Sequence, residues 1–147
     1  MVAEYAALPH NAGRWPTPAA DIAALPTPYV RPMGVLLVAL EAANVAVPTP
    51  ESALGCGALG AVQHPHVAEL KRIYVRPHAR GRGIGKAIMV ALIEWADSLG
   101  FERVRLDTAP ELTAALALYR QLGFTPIPPY REGLLPDALC FDRAVRL

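Results

Sequence analysis

Hydrophobic and polar residues alternate differently in successive parts of this 147-residue chain. GVLLVAL, which begins at Gly34, is a compact apolar run typical of a buried strand. SALGCGALGAV, which begins at Ser52, predicts a second strand, and its glycines indicate a bulge or a close approach by another backbone. QHPH is predicted to be a loop. AELKRIYV then predicts a third strand that ends at Pro77.

Beyond residue 83 the hydrophobic spacing becomes helical. Gly100 is a C-terminal signal for the first helix, whose recurring apolar residues are Ile84, Ile88, Leu92, Trp95 and Leu99. RVRLD predicts a short strand, and ELTAALALYRQLG predicts a second helix that ends at Gly123. FTPI and ALCFDRAV predict a final pair of strands. This order predicts a mixed α/β domain with one main sheet.

Length and composition limit the kinds of protein that this chain can be. A chain of this length suits one domain over residues 1–147, and 53% hydrophobic with 18% charged residues favours a folded core. Residues 1–33 are a proline-rich segment that allows little more than a short helix around 19–25. Two cysteines fit a reducing compartment. We see no leader and no apolar stretch of membrane-span length, so a cytoplasmic location without membrane association is expected.

Charge is local rather than general. The net charge is +1, which argues against a coat of nucleic acid or membrane, yet six of the fourteen Lys and Arg residues fall between Lys71 and Lys86. Four of the six lie within VRPHARGRGIGKAIM, residues 75–89, where three glycines alternate with basic and apolar residues. Bare backbone and positive charge at the start of a helix are suited to a phosphate. A P-loop does not fit, because Arg80 holds its first glycine position and Ala87 its hydroxyl position.

What does fit is Arg-x-x-Gly-x-Gly, formed by Arg80, Gly83 and Gly85 between the strand ending YVRP and an amphipathic helix. ALYRQLGF, from Ala117 to Phe124, supplies a second motif downstream. With these two motifs the sequence resembles the GNAT N-acetyltransferase superfamily over roughly residues 69–141. The resemblance implies a GNAT-like acyl-CoA N-acyltransferase fold with a mixed sheet and a shortened N-terminal part.

The resemblance also implies acetyl-CoA as cosubstrate and a coenzyme-binding core with C-terminal strands over residues 69–143. Backbone N–H groups of the loop would hold the pyrophosphate, and they come from Arg80, Gly81, Arg82, Gly83, Ile84, Gly85 and Lys86. The preceding strand would splay from its neighbour, so that Ile73, Tyr74 and Val75 pair with the pantetheine arm. One of their N–H groups would polarise the thioester carbonyl.

The same resemblance implies two residues for proton transfer. Tyr119 matches the tyrosine of the second motif and would protonate the leaving thiolate, since a phenol with a pKa of about 10 keeps its proton at neutral pH. An ordinary core tyrosine is the alternative. Glu69 would be the base, directly or through water, and Asp107 is a weaker candidate for this role.

Glu69 has a plainer interpretation as well. On a regular strand it shares a face with Lys71, Ile73 and Val75, so it could simply be an ion-paired glutamate with Lys71 or Arg72 as partner.

The remaining candidates are weaker. Tyr130, in IPPYREG, is predicted to contact the acceptor, with a packing role equally open. Cys56 is expected to be a small buried cysteine rather than a nucleophile. His64 and His66 straddle Pro65 without further evident ligands, so no metal is expected.

The chain departs from the family pattern at two places. Leu112 stands where the family often has an asparagine that helps to hold the coenzyme. The first strand is expected to be absent, and with it part of the acceptor wall, which a second copy in a homodimer could supply.

Three functions therefore compete. The leading one is transfer of acetyl from acetyl-CoA directly to an amine of a small molecule or protein in a ternary complex. A non-catalytic acyl-CoA-binding module is the alternative. A nucleic-acid-binding protein is disfavoured by the near-neutral charge and by the lack of aromatic residues among the basic ones.

Overall fold

Six strands lie in the described part of the chain: β1 (Gly34–Leu40), β2 (Ala53–Val62), β3 (His64–Val75), β4 (Arg103–Thr108), β5 (Thr125–Ile127) and β6 (Leu139–Ala144). They form one sheet in the order β1-β2-β3-β4-β6-β5. The β3–β4 pair is parallel and the other pairs are antiparallel. This computed structural model describes residues 7, 20, 23–25, 29–41, 49, 51–62 and 64–146, with His64 described by its backbone alone. The predicted mixed α/β fold is confirmed.

Two helices, α1 (Ile84–Ser98) and α2 (Thr113–Gln121), contribute to one hydrophobic core with the sheet. The buried stripe of α1 is Ile88, Met89, Leu92, Ile93 and Ala96. Leu59, Leu70, Val104 and Leu106 belong to the same cluster from β2, β3 and β4. Each fully buried side chain of this kind stabilises the fold by about 1.5–3 kcal/mol relative to exposure. No described helix combines the length and apolar character needed to cross a bilayer.

The glycines of β2 allow close packing, as predicted. A Cβ built on Gly55 would lie 2.7 Å from the Tyr74 carbonyl oxygen, and one on Gly57 would lie 2.8 Å from Ile73 Cδ1. Real Cβ atoms do not approach other atoms so closely. The absence of side chains here brings β2 against β3 and lets α1 settle onto the sheet.

A bulge in β3 corrects one prediction. Ala58 and Cys56 of β2 are two residues apart. Their partners in β3, Lys71 and Tyr74, are three residues apart. The extra residue sits at Arg72, where φ is +57°. Glu69 and Lys71 therefore share a face with Tyr74 rather than with Ile73 and Val75, because the bulge resets the alternation.

The predicted loop before β3 and the predicted helix in the proline-rich segment can be compared with the structure in part. The last three residues of QHPH are not a loop, because β3 begins at His64, and the first lies outside the described residues. Pro65 is tolerated there since it precedes Val67, the first residue paired with β4. Of the helix predicted around 19–25, Ala20 and Ala23 are helical, and most of the proline-rich segment, with the predicted absence of a first strand, lies outside the described residues.

The sheet face opposite α1 carries a buried carboxylate. Asp142 of β6 is 2% exposed. Arg105 Nε donates to its Oδ2 at 2.9 Å and Arg103 Nε to its Oδ1 at 2.6 Å. Burial alone would raise the pKa of Asp142, but the hydrogen bonds and charges of the two arginines outweigh it and hold the pKa below its ordinary 3.8.

Asp142→Asn is expected to destabilise the fold by about 2 kcal/mol at neutral pH, because two charge-assisted hydrogen bonds become neutral ones. The native pKa lies below the unfolded one, so this stability is complete above pH 3.8 and is lost as pH falls through the native pKa. Denaturant unfolding of both chains at neutral pH and below pH 3.8 checks this. A difference in unfolding free energy that stays constant with pH would contradict it.

Candidate functional site

The glycine-rich turn connects β3 to α1 through two left-handed glycines. Gly81 and Gly83 both have φ of +77°, which side-chain-bearing residues rarely adopt. Gly83 is the N-cap of α1, and a Cβ built on it meets no described atom within 4 Å. Backbone conformation, not crowding, therefore explains this glycine. The first helical turn contains Lys86 and no acidic residue, so its outward N–H groups can receive an anion.

Two arginines of the turn have partners on neighbouring elements. Arg80 Nε donates to the carbonyl of Val75, the last residue of β3, at 3.2 Å. Arg82 Nη2 donates to Glu41 Oε1 at 2.8 Å, just beyond β1. The hydrogen bond and charge of Arg82 lower the pKa of Glu41. The Arg82–Glu41 pair is solvent-exposed, so a phosphate could take the place of the carboxylate beside Arg82.

β3 and β4 separate next to this turn. Their parallel pairing spans Val67 to Glu69, with Glu69 opposite Arg105. β3 continues past this pairing through residues 70–75, and the bulge at Arg72 bends it there. Ile73, Tyr74 and Val75 thus run beyond the paired region and lead directly into the glycine-rich turn.

α2 closes the same region from another side. A Cβ built on Gly85 would lie 3.6 Å from Val75 Cγ2 and 3.7 Å from Leu118 Cδ2. The end of β3, the first turn of α1 and α2 therefore meet. Tyr119 is 6% exposed, and its ring packs against Phe124 and Phe141 with centroids 6.0 and 6.1 Å away. It contributes to the core, and its role as proton donor stays a prediction.

Glu69 lies where the two strands part, and it is 5% exposed. Tyr130 Oη donates to its Oε1 at 2.6 Å and Arg131 Nε at 2.9 Å. Lys71 Nζ lies 2.9 Å from Oε2. Burial would raise the pKa of Glu69, but Lys71, Tyr130 and Arg131 together lower it. The ion pair with Lys71 was the plainer interpretation from the sequence, and it is present.

Asp107 and Tyr130 belong to the same cluster. Arg131 Nη2 donates to Asp107 Oδ1 at 3.0 Å, and the Tyr130 hydroxyl lies 3.5 Å from that oxygen. Burial and the neighbouring carboxylates raise the pKa of Tyr130 far above its ordinary value. The phenol is therefore a permanent hydrogen-bond donor, and its contact with an acceptor stays a prediction.

Arg131 is the cluster residue that the sequence did not reveal. It bridges Glu69 and Asp107 from the loop before β6. Its position beside Tyr130 in IPPYREG was a signal that it could belong to the site. Glu132 follows directly, however, and the sequence does not show which of the two charged side chains points toward the cluster. Charged side chains in a proline- and glycine-rich loop ordinarily face solvent.

A cavity of about 200 Å³ opens beside this cluster. It is lined by Tyr29, Gly60, Ala61, Glu69 and Lys71. Gly60 pairs with Glu69 across the β2–β3 ladder, so the cavity lies on the sheet face away from α1. A carboxylate and an ammonium group, paired with each other, therefore both line this cavity.

The side chains considered less favourable have ordinary surroundings. Cys56 is buried and its Sγ donates to the Arg72 carbonyl at 3.3 Å. Burial raises the pKa of this thiol to about 11, so it is not a nucleophile at neutral pH. His66 lies 3.4 Å from Glu102, and both are exposed. Within the described ranges, no three His, Cys, Asp or Glu side chains are grouped so as to hold a metal ion.

Comparison with known proteins agrees with this geometry. The model of the acetyltransferase (GNAT) family matches residues 18–124. The chain therefore belongs to the GNAT acetyltransferase family. An uncharacterized N-acetyltransferase of Schizosaccharomyces pombe is 33% identical over 111 residues, which are 76% of this chain and 64% of that protein. The chain spans less than two thirds of the length of the curated relatives it matches.

Solved structures show the same fold. A GNAT-family acetyltransferase of Staphylococcus aureus superimposes with a TM-score of 0.75 at 16% identity, covering 99% of this chain and 89% of that one. A phosphinothricin acetyltransferase of Sinorhizobium meliloti, solved in complex with acetyl-CoA, gives a TM-score of 0.58 at 25% identity, covering 74% and 60%.

Proposed function

We propose that this chain transfers an acetyl group from acetyl-CoA directly to an amine in a ternary complex. The observation that carries the proposal is the separation of β3 from β4 immediately after Glu69, beside a left-handed glycine turn at the start of α1. Family membership and an acetyl-CoA complex of a structural neighbour support the choice of donor.

The coenzyme would lie along the turn and the separated strand. Backbone N–H groups from Arg80 to Lys86 would bind the pyrophosphate, helped by the positive end of α1. The pantetheine arm would pair with Ile73, Tyr74 and Val75 as an added strand. One N–H of this strand would donate to the thioester oxygen, where negative charge develops during transfer.

The transfer needs proton removal from the acceptor nitrogen and proton delivery to the sulfur. An acceptor that arrives as an ammonium first loses a proton to Glu69, directly or through water. The free amine then attacks the thioester carbonyl carbon, forms the C–N bond and loses a second proton by the same route to solvent. The C–S bond then breaks, and Tyr119 would protonate the leaving thiolate. The products are an N-acetylated acceptor and coenzyme A. Proton exchange with solvent returns Glu69 to the carboxylate and Tyr119 to the phenol, so atoms and charge balance without a covalent enzyme intermediate.

Thermal unfolding with acetyl-CoA, followed by thiol release with an amine panel, tests the proposal. At about one hundred times its dissociation constant, acetyl-CoA should stabilise the fold by roughly 2.7 kcal/mol. An acyl-CoA-binding module would show this shift without amine-dependent thiol release. Absence of any shift in the folded chain would overturn the coenzyme site itself.

Tyr119→Phe is expected to lower turnover on the order of 10²-fold at saturating substrates, since an essential proton donor typically contributes at least that much. The phenyl ring keeps the packing against Phe124 and Phe141. The acetyl-CoA melting shift of the variant should therefore equal that of the wild type. Undiminished turnover would exclude Tyr119 as the acid and leave it a core residue.

A further inference from the structure

We propose that the acceptor is a small zwitterion, an amine with a carboxylate close by as in a free amino acid, rather than a simple amine or a protein lysine. The inference rests on the proposed acetyl transfer and extends it to the substrate class. Its basis is the cavity beside Glu69, which presents the carboxylate of Glu69 and the ammonium group of Lys71 side by side.

The charges of the cluster favour a zwitterion. Glu69 and Asp107 are balanced by Lys71 and Arg131, which contact them at 2.9–3.0 Å. A cationic amine bound at Glu69 adds a third positive charge to this neutral set and displaces Lys71 from its partner. A zwitterion adds no net charge. Its ammonium group would take the place of Lys71 beside Glu69, and its carboxylate would form an ion pair with Lys71, so every charge keeps a partner.

Lys71 is placed to make this exchange. Its side chain is 34% exposed while that of Glu69 is 6% exposed, so the lysine can swing on its flexible stem and the glutamate cannot. Arg131 holds the other oxygen of Glu69 at 2.9 Å. Glu69 therefore stays fixed as the ammonium site, and Lys71 is the group that reorients toward the acceptor carboxylate.

The residues that line the cavity are suited to a small acceptor. Gly60 and Ala61 line the cavity with little side-chain volume, and Tyr29 lines it as well. A volume of about 200 Å³ is below the ~300–1,000 Å³ of drug-sized sites. An amino group and a carboxylate on one carbon fit such a space.

The experiment compares matched acceptor pairs with the full chain and acetyl-CoA. Each pair is an amino acid and the amine that remains when its carboxylate is removed, with aliphatic, aromatic, acidic and basic side chains represented. A lysine peptide with blocked ends represents protein acceptors. For at least one pair, kcat/KM for thiol release should favour the amino acid on the order of tenfold or more.

Lys71 variants assign the preference to a residue. Lys71→Met should raise KM about tenfold more for the amino acid than for its decarboxylated amine, because any effect through Glu69 is common to both acceptors. Lys71→Arg should keep the preference, because a guanidinium also binds a carboxylate. A loss of kcat for both members of a pair would show that Lys71 acts on the chemistry and not on the acceptor carboxylate.

The outcomes separate the two proposals. In one outcome acetyl-CoA shifts the melting temperature and thiol is released, but decarboxylated amines or the lysine peptide react as fast as the amino acids or faster. This outcome would overturn the proposed zwitterionic acceptor and leave the proposed acetyl transfer intact. An acetyl-CoA shift without thiol release from any acceptor would overturn both. An amino-acid preference that survives Lys71→Met would overturn the assigned recognition by Lys71.

Discussion

Gly83→Glu is expected to remove the gain in melting temperature that acetyl-CoA gives the wild-type chain. Gly83 caps α1 with φ of +77°, and its N–H lies among those proposed to bind the pyrophosphate. A glutamate there puts a negative charge against the phosphates and strains the left-handed backbone by about 1–2 kcal/mol. Melting curves at several acetyl-CoA concentrations measure the loss.

Gly100→Glu is the matched control for this variant. Gly100 follows the other end of the same helix with φ of +84°, and a Cβ built on it also meets no described atom within 4 Å. The two variants therefore share the substitution and the backbone strain and differ in distance from the turn. Gly100→Glu should melt at a lower temperature yet keep the full coenzyme shift. Equal shifts in both variants would refute the coenzyme site at Gly83.

Glu69→Gln is expected to lower kcat/KM on the order of 10³-fold near neutral pH. Glutamine cannot accept the proton of the acceptor ammonium. It also leaves Lys71 and Arg131, at 2.9 Å in the wild type, without their shared negative charge, so the site repels a cationic nitrogen. The low pKa of Glu69 keeps the wild-type carboxylate ionised down to below pH 4.5.

The pH profile identifies the role of Glu69. Since the free amine form of the acceptor increases at alkaline pH, the deficit of Glu69→Gln should shrink there as less proton removal is needed. Asp142→Asn is the control, because it makes the same change in another buried carboxylate held by two cations on the same sheet face. It should lose stability but keep its kcat/KM. A Glu69→Gln chain with full activity across pH would exclude Glu69 as the base.

The main elements could be predicted because their patterns are local. The stripe of α1 repeats at helical spacing and ends before Gly100, where φ is positive. The bulge at Arg72 could not be predicted, since it is set by pairing with β2, and Arg72 carries no residue-level sign of it. Pro65 suggested a loop because proline cannot donate a backbone hydrogen bond to a sheet. In the structure it lies among the first residues of β3.

The candidate site was predictable residue by residue but not as a cluster. Glu69, Asp107 and Tyr130 were each singled out from the sequence, yet their meeting depends on the parallel β3–β4 register and on the path of the loop before β6. Arg131 was missed because nothing local distinguishes an inward arginine from a solvated one. Long-range pairing, not composition, assembles this ion-pair network.

Between Lys71 and Tyr74, β3 has one residue more than its pairing with β2 uses. If Arg72 were absent, Lys71 and Ile73 would face Ala58 and Gly57 in unbroken alternation, and the other side chains of β3 would keep their faces. This surplus residue is therefore not needed for the core to form. It bends β3 in the stretch that follows Glu69, the last residue paired with β4. Under the proposed coenzyme site, ligand binding would constrain the length of β3, whereas folding constrains its apolar composition.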